Sequence, residues 1–219
     1  MVFSLFSVFF TERVFIMGAA YKTTEKEKWQ LLDFLSFPNT LNVEDTRKAI
    51  SIAFTKWSDV SPLTFSEIRD SNATADITIG FYTFNHTDCW WSPLHPCFDG
   101  LNGELAHAFL PPRGEIHFDN HEFWILGKSR FSWKQGVWLN DLVQVAAHEI
   151  GHALGLWHSR HPQALMHPNA TYTGQRNVAQ DDVWGIQRLY GNNQHGSTSC
   201  RSLILQLTQY MLLHTRLFK

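Results

Sequence analysis

Charged residues are scarce in this sequence, and neither sign is in clear excess. Lys, Arg, Asp and Glu together make up 17% of the 219 residues, and the formal net charge is −2. That balance argues against nucleic acid or an anionic membrane as the main partner. Long apolar runs are also missing, since no segment holds the roughly twenty continuous apolar residues of a clean membrane span. Apolar residues still reach 44%, which is enough for one packed domain with short extensions.

Cysteine is rare as well, with only Cys89, Cys97 and Cys200 in the chain. The first two are eight residues apart and enclose an aromatic loop, so they are either a local disulfide or two unrelated thiols. Three N-glycosylation triplets favour an oxidising, extracellular compartment, and they begin at Asn72, Asn85 and Asn169.

The N-terminal segment has some features of a targeting signal. Val2 to Phe10 is apolar, and Gly18-Ala19-Ala20 resembles a cleavage site, whereas Glu12 and Arg13 interrupt the pattern. A secreted protein and a protein held at the cell surface or endoplasmic reticulum by a signal anchor are the two expectations.

The patterning predicts three parts: an N-terminal extension at residues 1–28, a catalytic domain at 29–191 and an atypical tail at 192–219. Within the domain, period-two and period-3.6 patterns predict strands and helices in alternation. The predicted strands are 31–37, 63–68 and 76–81, and the predicted helices begin at Asn42 and cover 139–156 and 180–190.

The decisive motif is HExxHxxGxxH, formed by His148, Glu149, His152, Gly155 and His158. Residues four apart share one face of a helix, so His148 and His152 can coordinate the same ion. Gly155 can take a left-handed conformation, end the helix and return His158 to the metal.

Three neutral imidazoles suit a zinc ion with an open fourth position, where bound water becomes acidic. Glu149 can then act as general base during attack on a carbonyl and pass the proton to the leaving amine. Two histidines alone would be read as an ordinary surface pair, but all five fixed positions in one apolar helix point to a zinc peptidase.

Downstream, Met166 stands in the string Ala164-Leu165-Met166-His167-Pro168. Without the zinc motif it would be an ordinary core methionine. At this distance after HExxHxxGxxH it resembles the Met-turn of the metzincins, where methionine forms an apolar floor under the zinc.

Several further strings, in order along the chain, resemble the matrixin family. They are Trp57-Ser58-Asp59-Val60-Ser61-Pro62, Leu105-Ala106-His107-Ala108-Phe109, His117-Phe118-Asp119, Ser159 after the third histidine, and Gln180-Asp181-Asp182. The spacing of Cys89 and Cys97 resembles the cysteine-array type of matrixin. The resemblance implies an α+β metzincin catalytic domain, with a twisted, mostly parallel five-stranded sheet, one antiparallel edge strand and three helices.

The resemblance also implies metals beyond the catalytic zinc. A structural zinc would be bound by His86, Asp88, His107 and His117, a closed tetrahedral set. A calcium ion would be bound by Asp99, Gly100, Asn102, Glu104, Asp119 and Glu122, with backbone carbonyls of Gly100, Asn102 and Glu104 among the ligands. A disulfide between Cys89 and Cys97 is implied as well.

Substrate is expected along the edge strand Leu105 to Leu110, which includes Ala106 and Ala108. Gln144, one turn before His148, and Pro168 would border the specificity pocket, and the polar Gln144 predicts a shallower or more polar pocket than leucine would give. The implied activity is zinc-dependent endopeptidase hydrolysis of extracellular or matrix proteins by a monomer that tissue inhibitors of metalloproteinases would bind.

Two other functions remain open at the sequence level. A non-catalytic module that keeps its metals for structure would normally lose Glu149, which is present. A zinc hydrolase of another class, such as an intracellular peptidase, is disfavoured by Ser159, the cysteine pair and the N-glycosylation triplets. A prodomain with a cysteine switch is not recognisable, so the sequence does not indicate how latency is controlled.

Overall fold

The computed structural model describes residues 29–68, 73–84, 86, 97–170, 174 and 177–192. Three helices lie in this part of the chain: α1 (Val43–Ser58), α2 (Leu142–Ala153) and α3 (Gln180–Tyr190). The strands are β1 (Trp29–Phe34), β2 (Thr64–Glu67), β3 (Ile77–Tyr82), β4 (Ala106–Ala108), β5 (Glu115–Asp119), β6 (Phe123–Ile125), β7 (Arg130–Ser132) and β8 (Val137–Asp141). None of the described helices is long and apolar enough to cross a membrane.

The main sheet has five strands in the order β2-β1-β3-β5-β4. The first four are parallel, and β4 runs antiparallel to β5 at the edge, with His107 paired with His117. With the three helices, this arrangement confirms the predicted α+β class and the mostly parallel sheet with one antiparallel edge strand.

Helix α1 forms where its sequence favours it. The side chain of Asn42 accepts a hydrogen bond from Asp45 N–H at the N-terminus, and acidic residues occupy the first turn. Ala49, Ala53 and Trp57 lie on one face and are fully buried. Trp57 Nε1 donates to the Ala147 carbonyl at 2.9 Å, so α1 packs directly on α2 and positions it.

A second sheet, which the sequence patterns did not predict, has the order β6-β8-β7. Its presence corrects the predicted 139–156 helix, which begins only at Leu142. Val137–Asp141 pairs with strands on both sides, and the Asp141 carboxylate then accepts from Val143 N–H as the N-cap of α2. The first strand also ends earlier than predicted, at Phe34, whereas α3 occupies the predicted range.

Candidate zinc site and active site

The three histidines of the motif converge on one point. His148 and His152 lie one turn apart on α2, which ends at Ala153. Gly155 has φ +98°, and its N–H donates to the His152 carbonyl at 2.8 Å. The predicted left-handed turn is therefore present. The chain reverses there, and His158 Nε2 lies 3.2 Å from Nε2 of both His148 and His152.

Hydrogen bonds fix which nitrogen of each helix-borne imidazole faces this point. His148 Nδ1 lies 2.7 Å from the Leu165 carbonyl, and His152 Nδ1 lies 2.7 Å from the Leu156 carbonyl. A carbonyl only accepts, so each Nδ1 carries the proton and each Nε2 presents a lone pair to the shared point.

This geometry fits zinc. Imidazole nitrogens bound tetrahedrally at the usual Zn–N length lie about 3.3 Å apart, close to the observed 3.2 Å. Without a cation, bare lone pairs at this distance would repel each other. The donor set of three imidazoles is the one that zinc takes in open catalytic sites.

Burial sets the protonation of these side chains. It lowers the pKa of His148 to about 4, although the hydrogen bond to Leu165 opposes the shift, and it lowers the pKa of His158 as well. Both rings are therefore neutral at pH 7, as metal ligation requires. Burial also raises the pKa of Glu149 to about 8, and the charge of Glu104 adds to the shift. A carboxyl with a pKa near neutrality is suited to exchange protons.

Met166, the predicted Met-turn residue, packs against the ligand helix at Gly151. It is 2% exposed, and a Cβ added at Gly151 would lie only 2.3 Å from its sulfur. Gly151 therefore gives the methionine room to approach α2 between the two ligands. The Met166 carbonyl also accepts from Ser159 N–H at 2.8 Å, which ties the turn to the loop of His158.

Asp182 organises the turn, a role that motif reasoning missed. Its carboxylate, 1% exposed, accepts from the N–H groups of Leu165 at 2.7 Å, Met166 at 3.0 Å and Ala179 at 2.8 Å. The neighbouring Asp181 accepts from the Ser159 hydroxyl. The sequence carried a signal, since Gln180-Asp181-Asp182 matched the family, but it did not indicate which backbone groups the acids hold.

Three further histidines form a second cluster. Candidate ligand atoms of His86, His107 and His117 all lie within 4.8 Å of one another. His107 Nδ1 lies 3.1 Å from Glu104 Oε1, and His86 Nδ1 lies 3.2 Å from the Phe84 carbonyl, so Nε2 is the candidate ligand atom of both. The fourth predicted ligand, Asp88, lies outside the described residues.

The acidic residues predicted to bind calcium surround one loop. Asp119 and Glu122 are fully buried, and Asp119 Oδ2 has no hydrogen-bond partner within the described parts of the chain. Burial raises the pKa of Glu122, and the charge of Asp119 raises it further. Two buried carboxylates whose charges oppose each other favour binding of a divalent cation.

The loop itself is shaped by residues 99–104. Gly100 and Asn102 have φ of +92° and +64°. Asp99 Oδ1 accepts from Glu104 N–H at 2.9 Å, and a Cβ at Gly103 would overlap that carboxylate. The structure thus gathers Asp99, the loop backbone and the buried acids in one region. It places the side chain of Glu104 against His107 rather than in the loop.

The predicted substrate-binding residues lie on three parts of the chain, and the edge strand β4 is shorter than the predicted range 105–110. Ala106 and Ala108 lie on the edge strand β4, Pro168 is exposed just after the Met-turn, and Gln144 is 1% exposed. Gln144 Nε2 donates to the Ala170 carbonyl, so its amide links α2 to the segment after Met166. Cys97 is disulfide-bonded, and Cys89 lies outside the described residues.

Comparison with known proteins agrees with this site. The family model for matrixins matches residues 20–191. Matrix metalloproteinase-23 from Homo sapiens and from Bos taurus are each 61% identical over 158 residues, which cover 72% of this chain and 40% of theirs. Interstitial collagenase from Sus scrofa is 44% identical over 158 residues, which cover 71% of this chain and 30% of its own.

The chain therefore spans less than half the length of these relatives. The human and bovine relatives are both matrix metalloproteinase-23. This is the cysteine-array matrixin that the spacing of Cys89 and Cys97 resembles, so the predicted resemblance is confirmed. The match covers both histidine clusters and the whole of the main sheet, and the chain belongs to the matrixin family.

Proposed function

We propose that the chain is a zinc-dependent endopeptidase that hydrolyses peptide bonds of extracellular or matrix proteins. The observation that carries the proposal is the convergence of three Nε2 atoms at 3.2 Å beside the buried carboxyl of Glu149. The names of the relatives support it, since they include matrix metalloproteinases and a collagenase.

In this proposal His148, His152 and His158 hold zinc, which supplies a Lewis acid that polarises the scissile carbonyl and acidifies water. Glu149 accepts a proton from the attacking water and delivers it to the nitrogen of the leaving amine. Burial raises the pKa of Glu149 to about 8, and the positive charge of a bound zinc would lower it towards neutrality, where a carboxyl both takes and returns a proton. Met166 closes the site from below and excludes water from that side.

Substrate would add a further strand at β4. Within the described residues β4 pairs only with β5, so its outer edge offers backbone groups to an extended peptide. Ala106 and Ala108 would leave room for that peptide. Gln144 and Pro168 would border the pocket that receives the side chain after the scissile bond, and the amide of Gln144 would make the pocket floor polar.

The same proposal includes a structural zinc and a calcium ion. His86, His107, His117 and Asp88 would hold the zinc, and the carboxylate of Glu104 would orient His107 as a partner of its second nitrogen. Asp99, Asp119 and Glu122, with carbonyls of Gly100, Asn102 and Glu104, would hold the calcium, which would balance the buried negative charge.

The remaining assignments concern the setting of the enzyme. We infer an extracellular location, or one at the surface of a membrane through residues 1–28. We further infer a monomer with a catalytic domain at 29–191 and a tail at 192–219, and a disulfide between Cys89 and Cys97. Protein substrates and tissue inhibitors of metalloproteinases are the proposed partners, and nucleic acid is not. The N-glycosylation triplets and the bonded state of Cys97 support the location.

The test is cleavage of an unfolded protein substrate by the unaltered chain, by Glu149→Ala and by Glu149→Gln. Both variants should lose activity by about a hundred- to ten-thousand-fold, because the general base is removed. Bound zinc, measured by atomic absorption, should stay the same. Equal cleavage by variant and unaltered chain would sink the proposal. Full zinc occupancy with no turnover by the unaltered chain would instead favour a non-catalytic module.

A further inference from the structure

An exposed aromatic hairpin lies outside both histidine clusters and touches the predicted calcium region only at its base, through the bond from Asn140 to Glu122. It consists of β7, the turn at 133–136 and β8, here called the Trp133 hairpin. Trp133 is 89% exposed and Trp138 is 50% exposed. Phe131 lies between them, with ring centroids 4.8 Å from Trp133 and 5.6 Å from Trp138. Single exposed apolar residues are ordinary on a protein surface, but three adjacent aromatic rings indicate a contact surface.

The hairpin is also positively charged. Lys128, Arg130 and Lys134 are exposed, and they are the only charged residues between Phe123 and Asn140. In the portion of the chain that the structure describes, no carboxylate forms an ion pair with any of these three side chains. Residues 128–141 therefore carry a net charge of about +2, since Asp141 at the buried end of β8 offsets one of the three cations, in a chain whose formal net charge is −2.

The tip of the hairpin projects from the body of the protein. Gly136 has φ +70°, and a Cβ built there would meet no atom within 4 Å. The backbone is held in shape by Ser132, whose carbonyl accepts from the N–H groups of Gln135 at 3.1 Å and Gly136 at 2.7 Å. The tip can therefore meet a flat partner without rearrangement of the fold.

We propose that the Trp133 hairpin docks the protein on a lipid bilayer that carries anionic headgroups. Tryptophan is enriched where bilayers meet water, because its ring is apolar and its N–H remains hydrated. Cations beside it gain from the negative surface potential. The combination of Trp133 and Trp138 with the three exposed cations matches both requirements of such a surface.

Two other partners fit less well. A neutral sugar would need several carboxylates or amides beside the rings to hydrogen-bond its hydroxyls, yet Asn140 and Asp141 of the hairpin are buried and Gln135 is its one exposed amide. A sulfated polysaccharide would need the cations, but it would give no reason for the exposed rings of Trp133 and Trp138. The aromatic residues therefore decide between the lipid surface and a charged polymer.

Docking at this hairpin would leave the active site to substrate. The hairpin adjoins the N-terminal end of α2 through Asp141, whereas His148 and His152 lie on the C-terminal half of the helix. Seven residues of helix separate Asp141 from His148, which corresponds to about 10 Å. The inference goes beyond the proposed peptidase activity and does not depend on it.

The experiment is sedimentation of the full chain with vesicles of phosphatidylcholine and phosphatidylserine in a two-to-one ratio, compared with pure phosphatidylcholine. Trp133→Ala should lower the partition coefficient by about ten-fold, since it removes most of the inserted aromatic area. Neutralising Lys128 or Lys134 with Gln should cost about five-fold for each cation. Pure phosphatidylcholine should bind weakly, and salt should weaken binding to the mixed vesicles.

Matched controls exist elsewhere in the chain. Trp184 on α3 is 65% exposed, and Lys48 on α1 is exposed. Trp184→Ala and Lys48→Gln should each change partitioning by less than roughly two-fold, as ordinary surface substitutions do. Both chain termini are present in every variant, so the differences report on the hairpin alone. Circular dichroism verifies that each variant is folded.

Three outcomes of the sedimentation experiment can be distinguished. Equal partition coefficients for Trp133→Ala and Trp184→Ala would overturn the proposal. Loss of binding in the lysine variants with none in Trp133→Ala would overturn it in favour of an ionic polymer, and heparin binding would then fall in the same lysine variants. Loss in Trp133→Ala and in the lysine variants, with both controls unchanged, is the result that the proposal requires.

Discussion

The carboxylate of Asp182 is the best single place to test how the zinc site is supported. It is 1% exposed and accepts hydrogen bonds from the N–H groups of Leu165, Met166 and Ala179. The Leu165 carbonyl in turn accepts the proton of His148 Nδ1. Removing the carboxylate in Asp182→Ala should therefore loosen both the turn and one ligand of the metal.

The magnitude follows from the three N–H groups that lose their acceptor. Each buried donor left without a partner costs about 1–3 kcal/mol. Some relaxation offsets part of the cost, so the free energy of unfolding should fall by about 3–5 kcal/mol. At about 2–4 °C per kcal/mol for a domain of this size, the midpoint of thermal unfolding should fall by roughly 6–20 °C.

Asp181→Ala is the matched control, because within the described residues that carboxylate accepts from the Ser159 hydroxyl alone and is half-buried. It should cost about 1 kcal/mol. Both variants are measured by thermal unfolding with zinc present, and zinc affinity is measured by competition with a chelating dye. Asp182→Ala should bind zinc more weakly than Asp181→Ala. Equal stability and equal zinc affinity in the two variants would refute the reasoning.

Three further substitutions test neighbouring features. Gly155→Ala should lower stability by about 1–2 kcal/mol in chemical unfolding, because φ +98° is strained for any side chain. Gly151→Ala should lower zinc affinity in the same dye competition, since its Cβ would displace the Met166 sulfur. Burial raises the pKa of Tyr190 to about 12, so the free energy of unfolding should fall as pH rises from the unfolded-state pKa near 10 to 12. Tyr190→Phe should remove that fall. The same variant should cost about 1 kcal/mol at pH 7, because it loses the hydrogen bond to the Leu154 carbonyl. An alkaline transition that Tyr190→Phe leaves unchanged would exclude that residue as its source.

Much of the fold was predictable because local signals and packing agree. Helix α3 begins and ends as predicted, since its apolar spacing and its acidic first turn favour the same boundaries. The zinc motif was also readable, because its geometry depends on helix periodicity and on a single left-handed glycine at Gly155. Features within a few residues of each other in sequence are those that pattern reasoning predicts best.

The second sheet could not be predicted in the same way. Val137 to Leu139 is too short an apolar run to indicate a strand rather than a helix, and it is the pairing with β6 and β7 that makes it a strand. The role of Asp182 is equally non-local, since its carboxylate accepts from the backbone N–H groups of Leu165 and Met166, seventeen and sixteen residues earlier respectively. Such contacts depend on tertiary packing, which no sequence window contains.

The buried acids near residues 99–104 have a second consequence for stability. Glu122 is fully buried beside Asp119, and its carboxylate accepts from Asn102 N–H and from Asn140 Nδ2 at 2.8 Å. Without a cation, the two negative charges oppose burial, as the raised pKa of Glu122 reflects. With calcium bound, the same charges stabilise the fold through the metal.

Glu122→Gln should therefore change stability with opposite sign in the two conditions. In excess calcium the variant should be less stable, by about 2–3 kcal/mol at a hundred-fold excess over the dissociation constant. With a calcium-selective chelator and zinc held constant, the variant should be as stable as the unaltered chain or more stable, because it removes a buried charge. The side-chain amide of Asn140 can flip so that its oxygen accepts from the new glutamine amide. Thermal unfolding in both buffers measures the difference. A loss of equal size with and without calcium would mean that Glu122 serves only as a hydrogen-bond acceptor for the loop, and that the acids do not hold a calcium ion.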